Sequence, residues 1–122
     1  MIVAGIGCRT EVTAEALLSL LRLASETAPP EALAVPAFRR GEPGITEAAR
    51  RLNLPILWVE RDQLKGEQGR CVTRSARAEA EIGLSCVAEA AALSAAGPGS
   101  RLILPRIAGG GVTCALAESH GA

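Results

Sequence analysis

Aromatic residues are nearly absent from this chain of 122 residues, which has one Phe, one Trp and no Tyr. The core must therefore be built from Leu, Ile, Val and Ala, whose compact side chains let helices lie close to a sheet. The same scarcity removes the rings on which nucleic-acid bases stack. The formal net charge is zero, so the basic excess typical of nucleic-acid binding is missing as well. We therefore expect no nucleic-acid partner.

Long apolar runs are also missing, since no stretch approaches the roughly 20 apolar residues that a membrane span requires. The first apolar run begins at Ile2, which leaves no room for a signal peptide and predicts a cytoplasmic location without a membrane partner. A chain of this length corresponds to one domain, so residues 1–122 are predicted to form a single domain.

Histidine is limited to His120, and no two cysteines have CxxC spacing. A zinc site needs clustered thiolates and imidazoles, so we expect no metal and no cofactor. A Ser-His-Asp or Cys-His catalytic group is excluded for the same reason. The four cysteines, Cys8, Cys71, Cys86 and Cys114, are interpreted as small buried residues in a reducing compartment, with Cys8 set apart by its loop position.

Apolar periodicity and turn residues predict alternating strands and helices in the first half of the chain. Strands are predicted at 2–6, 33–37, 56–59, 101–107 and 112–117, and helices at 14–26, 45–52, 60–65, from about 74 to 82, and 86–96. Pro36 places the second strand at a sheet edge or marks the strand's end. The triple glycine 109–111 makes the last two strands a hairpin. The prediction is an α/β fold: a single three-layer α/β/α domain with a mixed β-sheet and a C-terminal β-hairpin.

Polar residues at helix starts predict where individual helices begin. Thr13 is a candidate N-cap of the first helix, Thr73 or Ser75 of the fourth, and Ser85 of the fifth.

The stretch GIGCRT, from Gly5 to Thr10, lies between the first strand and the first helix. It contains only the first two glycines of the dinucleotide-binding fingerprint, and Thr10 stands where the third belongs, which disfavours a dinucleotide site. Two interpretations remain open from the spacing. The loop is either a turn that only packs, or an anion-binding loop in which helix amides and Arg9 face a carboxylate or phosphate.

Two glutamates are candidate general bases. Glu42 stands directly before a helix, where an acid is also favourable for helix-end electrostatics alone. Glu89 lies in SCVAEAAAL, a helix of small apolar residues, where the simpler interpretation is that it marks the solvated face.

Four motifs in order resemble the CobE / CbiG C-terminal domain family of cobalamin (vitamin B12) biosynthesis: GIGCR, EPG before an apolar helix, SCVAEAAAL and GGVTCALA. Members commonly carry Asp-x-Lys just before the Glu, where this chain has Ala37-Phe38-Arg39, and a lysine before the last strand, where it has Pro105-Arg106. Arg39 and Arg106 preserve the charge without offering a proton-transferring amine.

The resemblance implies a protein that binds a precorrin or corrinoid intermediate and catalyses or assists ring-A δ-lactone opening with acetaldehyde loss, which is the chemistry of the longer members. The alternative is a non-catalytic carrier that presents the intermediate to another pathway enzyme. The sequence leaves open whether this chain is an enzyme. The expected bases are Glu42 and Glu89, and the expected substrate-binding residues are Gly5, Gly7, Cys8, Arg9, Arg39 and Thr113.

Overall fold

The computed structural model describes residues 1–120 as one five-stranded sheet with helices on both faces. The strands are β1 (Ile2–Cys8), β2 (Ala32–Pro36), β3 (Ile56–Val59), β4 (Arg101–Gly109) and β5 (Val112–Glu118). The helices of the described residues are α1 (Ala14–Ala24), α2 (Pro43–Leu52), α3 (Arg61–Gly66), α4 (Ala76–Ile82) and α5 (Ala88–Ala96). Within residues 1–120, no helix has the length and apolar character needed to cross a bilayer.

The strand order is β3-β2-β1-β5-β4, with β1, β2 and β3 parallel and β5 antiparallel to both of its neighbours. α1 and α2 cover one face, and α3 and α5 cover the other. The predicted α/β fold with a mixed sheet and a C-terminal hairpin is therefore confirmed. β2 pairs on both sides, so Pro36 marks a strand end and not a sheet edge. β1 runs to Cys8 because that residue pairs with Val112.

α5 is buried on nearly all sides, which suits a helix of alanines packed directly on the sheet. It approaches β1 at Gly5, where an added Cβ would lie 2.6 Å from the backbone nitrogen of Ala92 and would also overlap the carbonyl oxygen of Ala88. Glycine at this position is what lets the helix and the strand come so close.

The helix-start predictions have mixed outcomes. Thr13 caps α1 by accepting a hydrogen bond from the Ala16 N–H, and Ser75 caps α4 by accepting one from the Ala78 N–H. Ser85 as the cap of the fifth helix is wrong, because α5 begins at Ala88. The Ser85 hydroxyl instead accepts a hydrogen bond from Arg74.

Cys71 and Cys86 form a disulfide, with Cα atoms 6.5 Å apart. The expectation that all four cysteines are separate buried thiols is therefore wrong for this pair. Cys8 and Cys114 are free thiols, and Cys114 is fully buried in β5. Fifteen positions separate the bridged cysteines, and only the path of the chain through α4 brings them together.

Candidate functional site

A cleft of about 310 Å³ opens where β1 and β2 end. Parallel strands deliver their carboxyl ends to one edge of a sheet, which is where open α/β sheets place ligands. Five of the predicted binding residues line this cleft: Gly7, Cys8, Arg9, Arg39 and Thr113. They come from β1, the loop after it, the turn after β2, and β5.

The floor of the cleft is tied together by short polar contacts. The Thr113 hydroxyl lies 3.3 Å from the Gly7 carbonyl oxygen and donates to it. A Cβ at Gly7 would lie 2.5 Å from that hydroxyl oxygen, so glycine leaves room for the contact. The Arg39 Nε–H donates to the Cys8 carbonyl oxygen at 2.8 Å. This bond fixes the root of the Arg39 guanidinium beside the end of β1.

Arg9 is held over the β4–β5 turn. Its backbone N–H donates to the Gly111 carbonyl oxygen at 3.4 Å, and a Cβ at Gly111 would lie 2.5 Å from the Arg9 Nε atom. Gly111 has a φ of 80°, a left-handed conformation that glycine adopts without strain. Because Gly111 has no side chain, the Arg9 guanidinium packs directly against the backbone of this turn, beside the cleft.

The cleft is rich in positive charge, because Arg9, Arg39, Arg77 and Arg106 all line it. Glu81 is the single acidic residue among the lining residues, and it pairs with Arg77 at 3.0 Å. Within residues 1–120, neither Arg9, Arg39 nor Arg106 forms a salt bridge with a carboxylate. Three guanidinium groups are thus left to pair with an anionic ligand.

Glu42, a predicted base, is half-buried and does not line the cleft. Its Oε1 atom accepts a hydrogen bond of 2.7 Å from the Glu11 N–H, and Glu11 has a φ of 62°. The contact secures the loop between β1 and α1 in this uncommon conformation. Gly44 supports the same packing, because a Cβ there would overlap the Val12 carbonyl oxygen.

Glu89, the other predicted base, has no solvent exposure and does not line the cleft. The expectation that it lies on the solvated face of its helix is therefore wrong. Its Oε1 atom accepts hydrogen bonds from the N–H groups of Val72 and Thr73, at 2.8 and 3.0 Å, and its Oε2 atom accepts one from the Arg106 N–H at 2.9 Å. Burial alone raises the pKa of this carboxyl group, but the hydrogen bonds from Arg106, Thr73 and Val72 together outweigh burial and lower the pKa.

Gly5 is placed differently from the other predicted binding residues. It is buried in β1 beneath α5 and does not line the cleft. The geometry gives it a packing function, because it sets the distance between the strand and the helix.

The two free thiols lie in environments that disfavour the thiolate. Burial raises the pKa of Cys8, and the opposing effect of the Arg39 charge is not enough to cancel it. Burial raises the pKa of Cys114 to about 12. A nucleophilic role for either thiol is therefore disfavoured.

Alkylation with iodoacetamide should show this order of reactivity. We expect half-buried Cys8 to react more slowly at pH 7 than a cysteine in the unfolded chain, to react faster as the pH rises, and to be modified before Cys114. Mass spectrometry of digested protein measures both sites. Rapid labelling of Cys8 at pH 7 would contradict the raised pKa and indicate an activated thiolate.

The family model for the C-terminus of cobalamin synthesis protein G matches residues 2–117. The chain belongs to this family. It is a cobalamin-biosynthesis protein, as the four motifs of the sequence indicated.

Individual members of the family agree with this assignment. Protein CobE of Sinorhizobium sp is 32% identical over 121 residues, covering 95% of this chain and 79% of CobE. The crystal structure of CobE, a protein from the cobalamin (vitamin B12) biosynthetic pathway, has a TM-score of 0.87 and 34% identity, and the match covers 96% of this chain and 89% of that one. The cobalamin biosynthesis protein chiG from Agrobacterium tumefaciens str. C58 has a TM-score of 0.78 and 32% identity, with 99% and 100% covered.

Sequence reasoning did not assign several cleft residues of this family member. Arg106 replaces a lysine of the family but is not among the predicted site residues, and neither are Phe38, Ser75 and Arg77. Arg106 had a usable signal, because it interrupts the apolar run from Leu102 to Ile107. Ser75 and Arg77 had no such signal, because a short, highly charged helix is typical of any exposed protein surface.

Proposed function

We propose that this protein binds a precorrin or corrinoid intermediate through its peripheral carboxylates, in the cleft at the ends of β1 and β2. The observation that carries the proposal is the convergence of Arg9, Arg39 and Arg106 on one cleft with no carboxylate paired to them within residues 1–120. The planar fork of arginine matches a carboxylate with two parallel hydrogen bonds. Precorrins carry many acetate and propionate groups, so their edge is the complementary surface.

The size of the cleft suits a carrier, because it holds only part of a tetrapyrrole. At about 310 Å³ it lies at the lower end of small-molecule sites, which range over roughly 300–1,000 Å³. A tetrapyrrole macrocycle is larger than this space, so the cleft receives one edge and leaves the remainder open to solvent. An intermediate held in this way remains accessible to a second pathway enzyme.

Lactone opening is the second candidate function, and Glu42 is its better base. Both oxygens of Glu89 accept backbone hydrogen bonds, whereas the Oε2 atom of Glu42 accepts none within residues 1–120. The negative charge of Glu42 also acts on the pKa of Cys8, which lines the cleft. A water activated by Glu42 would attack the lactone carbonyl.

Titration with uroporphyrin, an octacarboxylate tetrapyrrole, tests the binding proposal by its visible spectrum. We expect Arg39→Gln and Arg106→Gln each to weaken binding about tenfold, because each removes one charge-assisted contact. Arg22→Gln, an exposed position on α1 outside the cleft, should bind like the unsubstituted protein. Equal loss in all three variants, or no spectral change with any protein, would contradict the proposal.

Incubation with a lactone-bearing precorrin and measurement of acetaldehyde then separates the two functions. A carrier releases none. Acetaldehyde that appears with the unsubstituted protein and disappears with Glu42→Gln, while uroporphyrin binding persists, would favour the hydrolase instead.

A further inference from the structure

One wall of the cleft is a segment with little packing of its own. The stretch 72–85, which contains α4, supplies six lining residues: Ser75, Arg77, Ala78, Glu81, Ile82 and Ser85. α4 has no buried side chain. The apolar contacts of the segment with the core come only from half-buried Ile82 and from Leu84, which is buried after the end of the helix. The position of α4 therefore depends largely on how the two ends of the segment are attached.

Both ends are attached at the same place, next to the start of α5. The Cys71–Cys86 disulfide closes the segment at its base, and both cysteines are buried, with exposures of 7% and 4%. Beside the bridge, the Glu89 carboxylate holds the N–H groups of Val72 and Thr73. The base of the wall is thus secured by one covalent bond and one buried carboxylate. Away from the base, Arg61 donates to the Ile82 carbonyl oxygen and Arg74 donates to the Gln68 carbonyl oxygen.

We propose that Cys71 and Cys86 are a reversible dithiol–disulfide pair, and that the oxidised pair holds this wall in the position that binds ligand. The identity of the ligand rests on the proposed function, whereas the effect on the wall does not. In a reducing compartment, which the sequence predicts for this chain, disulfides are usually transient or redox-sensing.

The exchange is carried out by a thiol reductant of the glutathione or dithiol class. A reductant thiolate attacks one sulfur of the bridge, forming a mixed disulfide and releasing the other cysteine as a thiol. A second reductant thiol then attacks the mixed disulfide and releases the first cysteine. In total the bridge gains two electrons and two protons, and two reductant thiols become one disulfide.

Reduction leaves non-covalent contacts alone to hold the wall: the hydrogen bonds of Glu89, Arg61 and Arg74 and the burial of Leu84. Without the covalent closure, 72–85 opens more often and displaces its six lining residues. Because coupling between two sites is reciprocal, ligand in the cleft should also protect the bridge from reduction.

The test compares oxidised and dithiothreitol-reduced protein by uroporphyrin titration and by hydrogen exchange of the amides in 72–82. We expect reduction to weaken binding about fivefold or more and to accelerate exchange in this segment selectively. The double variant Cys71→Ser/Cys86→Ser should have the affinity and the exchange rates of the reduced protein, and dithiothreitol should change neither. Cys114→Ala, which changes a buried cysteine outside the cleft, should keep the full response.

Identical affinity and identical exchange in the two redox states would overturn the proposal. So would a bridge that stays intact in millimolar glutathione, or a reduced protein that circular dichroism shows to be unfolded, since the bridge would then be a fixed staple of the fold. If uroporphyrin binds neither state, the proposed function fails, and the exchange rates alone decide whether the pair controls the wall.

Discussion

Glu89→Gln is expected to lower the free energy of unfolding by about 3 kcal/mol, although it only replaces one carboxylate oxygen by an NH₂ group and hardly changes the side-chain volume. The carboxylate accepts from three backbone N–H groups, those of Val72, Thr73 and Arg106. An amide has only one accepting oxygen, so its NH₂ group must face at least one of these donors. The site has no solvent exposure, and water therefore cannot replace the lost hydrogen bond. Urea unfolding followed by circular dichroism measures the difference.

The same substitution should change how stability depends on pH. The folded pKa of Glu89 lies below its ordinary value of 4.5, so the carboxylate contributes stability above that pH and loses it as the pH falls through the folded pKa. The difference in stability between the unsubstituted protein and Glu89→Gln should therefore shrink in acid. Glu47, whose pKa is lowered to about 2 by hydrogen bonds from Arg50 and Arg51, is present in both proteins and cancels in the comparison.

Glu26→Gln is the matched control, because Glu26 is exposed after the end of α1. We expect its stability to stay within about 0.5 kcal/mol of the unsubstituted protein. Equal stability of Glu89→Gln and the unsubstituted protein at pH 7 would mean that the three backbone N–H groups do not need the negative charge of Glu89 to be stably buried. A difference between them that is unchanged from pH 7 to pH 3 would disprove the linkage to ionisation.

Gly5→Ala is expected to destabilise the protein by about 3 kcal/mol, at the upper end of overpacking substitutions. The added methyl group would lie 2.6 Å from the Ala92 nitrogen and 2.8 Å from the Ala92 Cβ, and would overlap the Ala88 carbonyl oxygen. Two of these three atoms are backbone, so no side-chain rotation relieves the contact. α5 would have to move away from β1, which disturbs the core beneath it. Thermal and urea unfolding would both show the loss.

Gly41→Ala serves as the control, since no atom lies within 4 Å of a Cβ at that turn and its φ is not in the left-handed region. Its stability should change by less than about 1 kcal/mol. If Gly5→Ala were as stable as Gly41→Ala, the close approach of α5 to β1 would not be a constraint of the native packing.

Secondary structure was predictable here because the signals are local. Thr13 caps α1 within three residues of itself, and the strand at Ile56–Val59 was predicted with the bounds that the structure has. The Ser85 prediction was wrong because a serine before an apolar run resembles a cap, while its hydroxyl accepts a hydrogen bond from Arg74, eleven residues earlier. Nothing in the local sequence encodes that partner.

The candidate site was predictable only in part, for a related reason. Cys8 ends a buried strand and Arg9 follows it, and that position alone places them at the sheet edge where ligands bind. Glu42 and Glu89 have the chemistry of bases, but the structure gives Glu42 one backbone donor, from Glu11, and gives Glu89 three, which occupy both of its oxygens. Whether a carboxylate is free or engaged depends on contacts between distant segments.

The sequence by itself determined the alternation of strands and helices, the C-terminal hairpin, the absence of aromatic stacking surfaces and the family, because each follows from residue type and spacing along the chain. Only the tertiary structure decided that Arg106 joins Arg39 in one cleft, that Cys71 bonds to Cys86, and that Glu89 is buried. These features arise when the parallel strands, the hairpin and α5 bring remote positions within a few ångströms. The order of residues within a short stretch does not specify which remote residues will lie close to it in the folded protein.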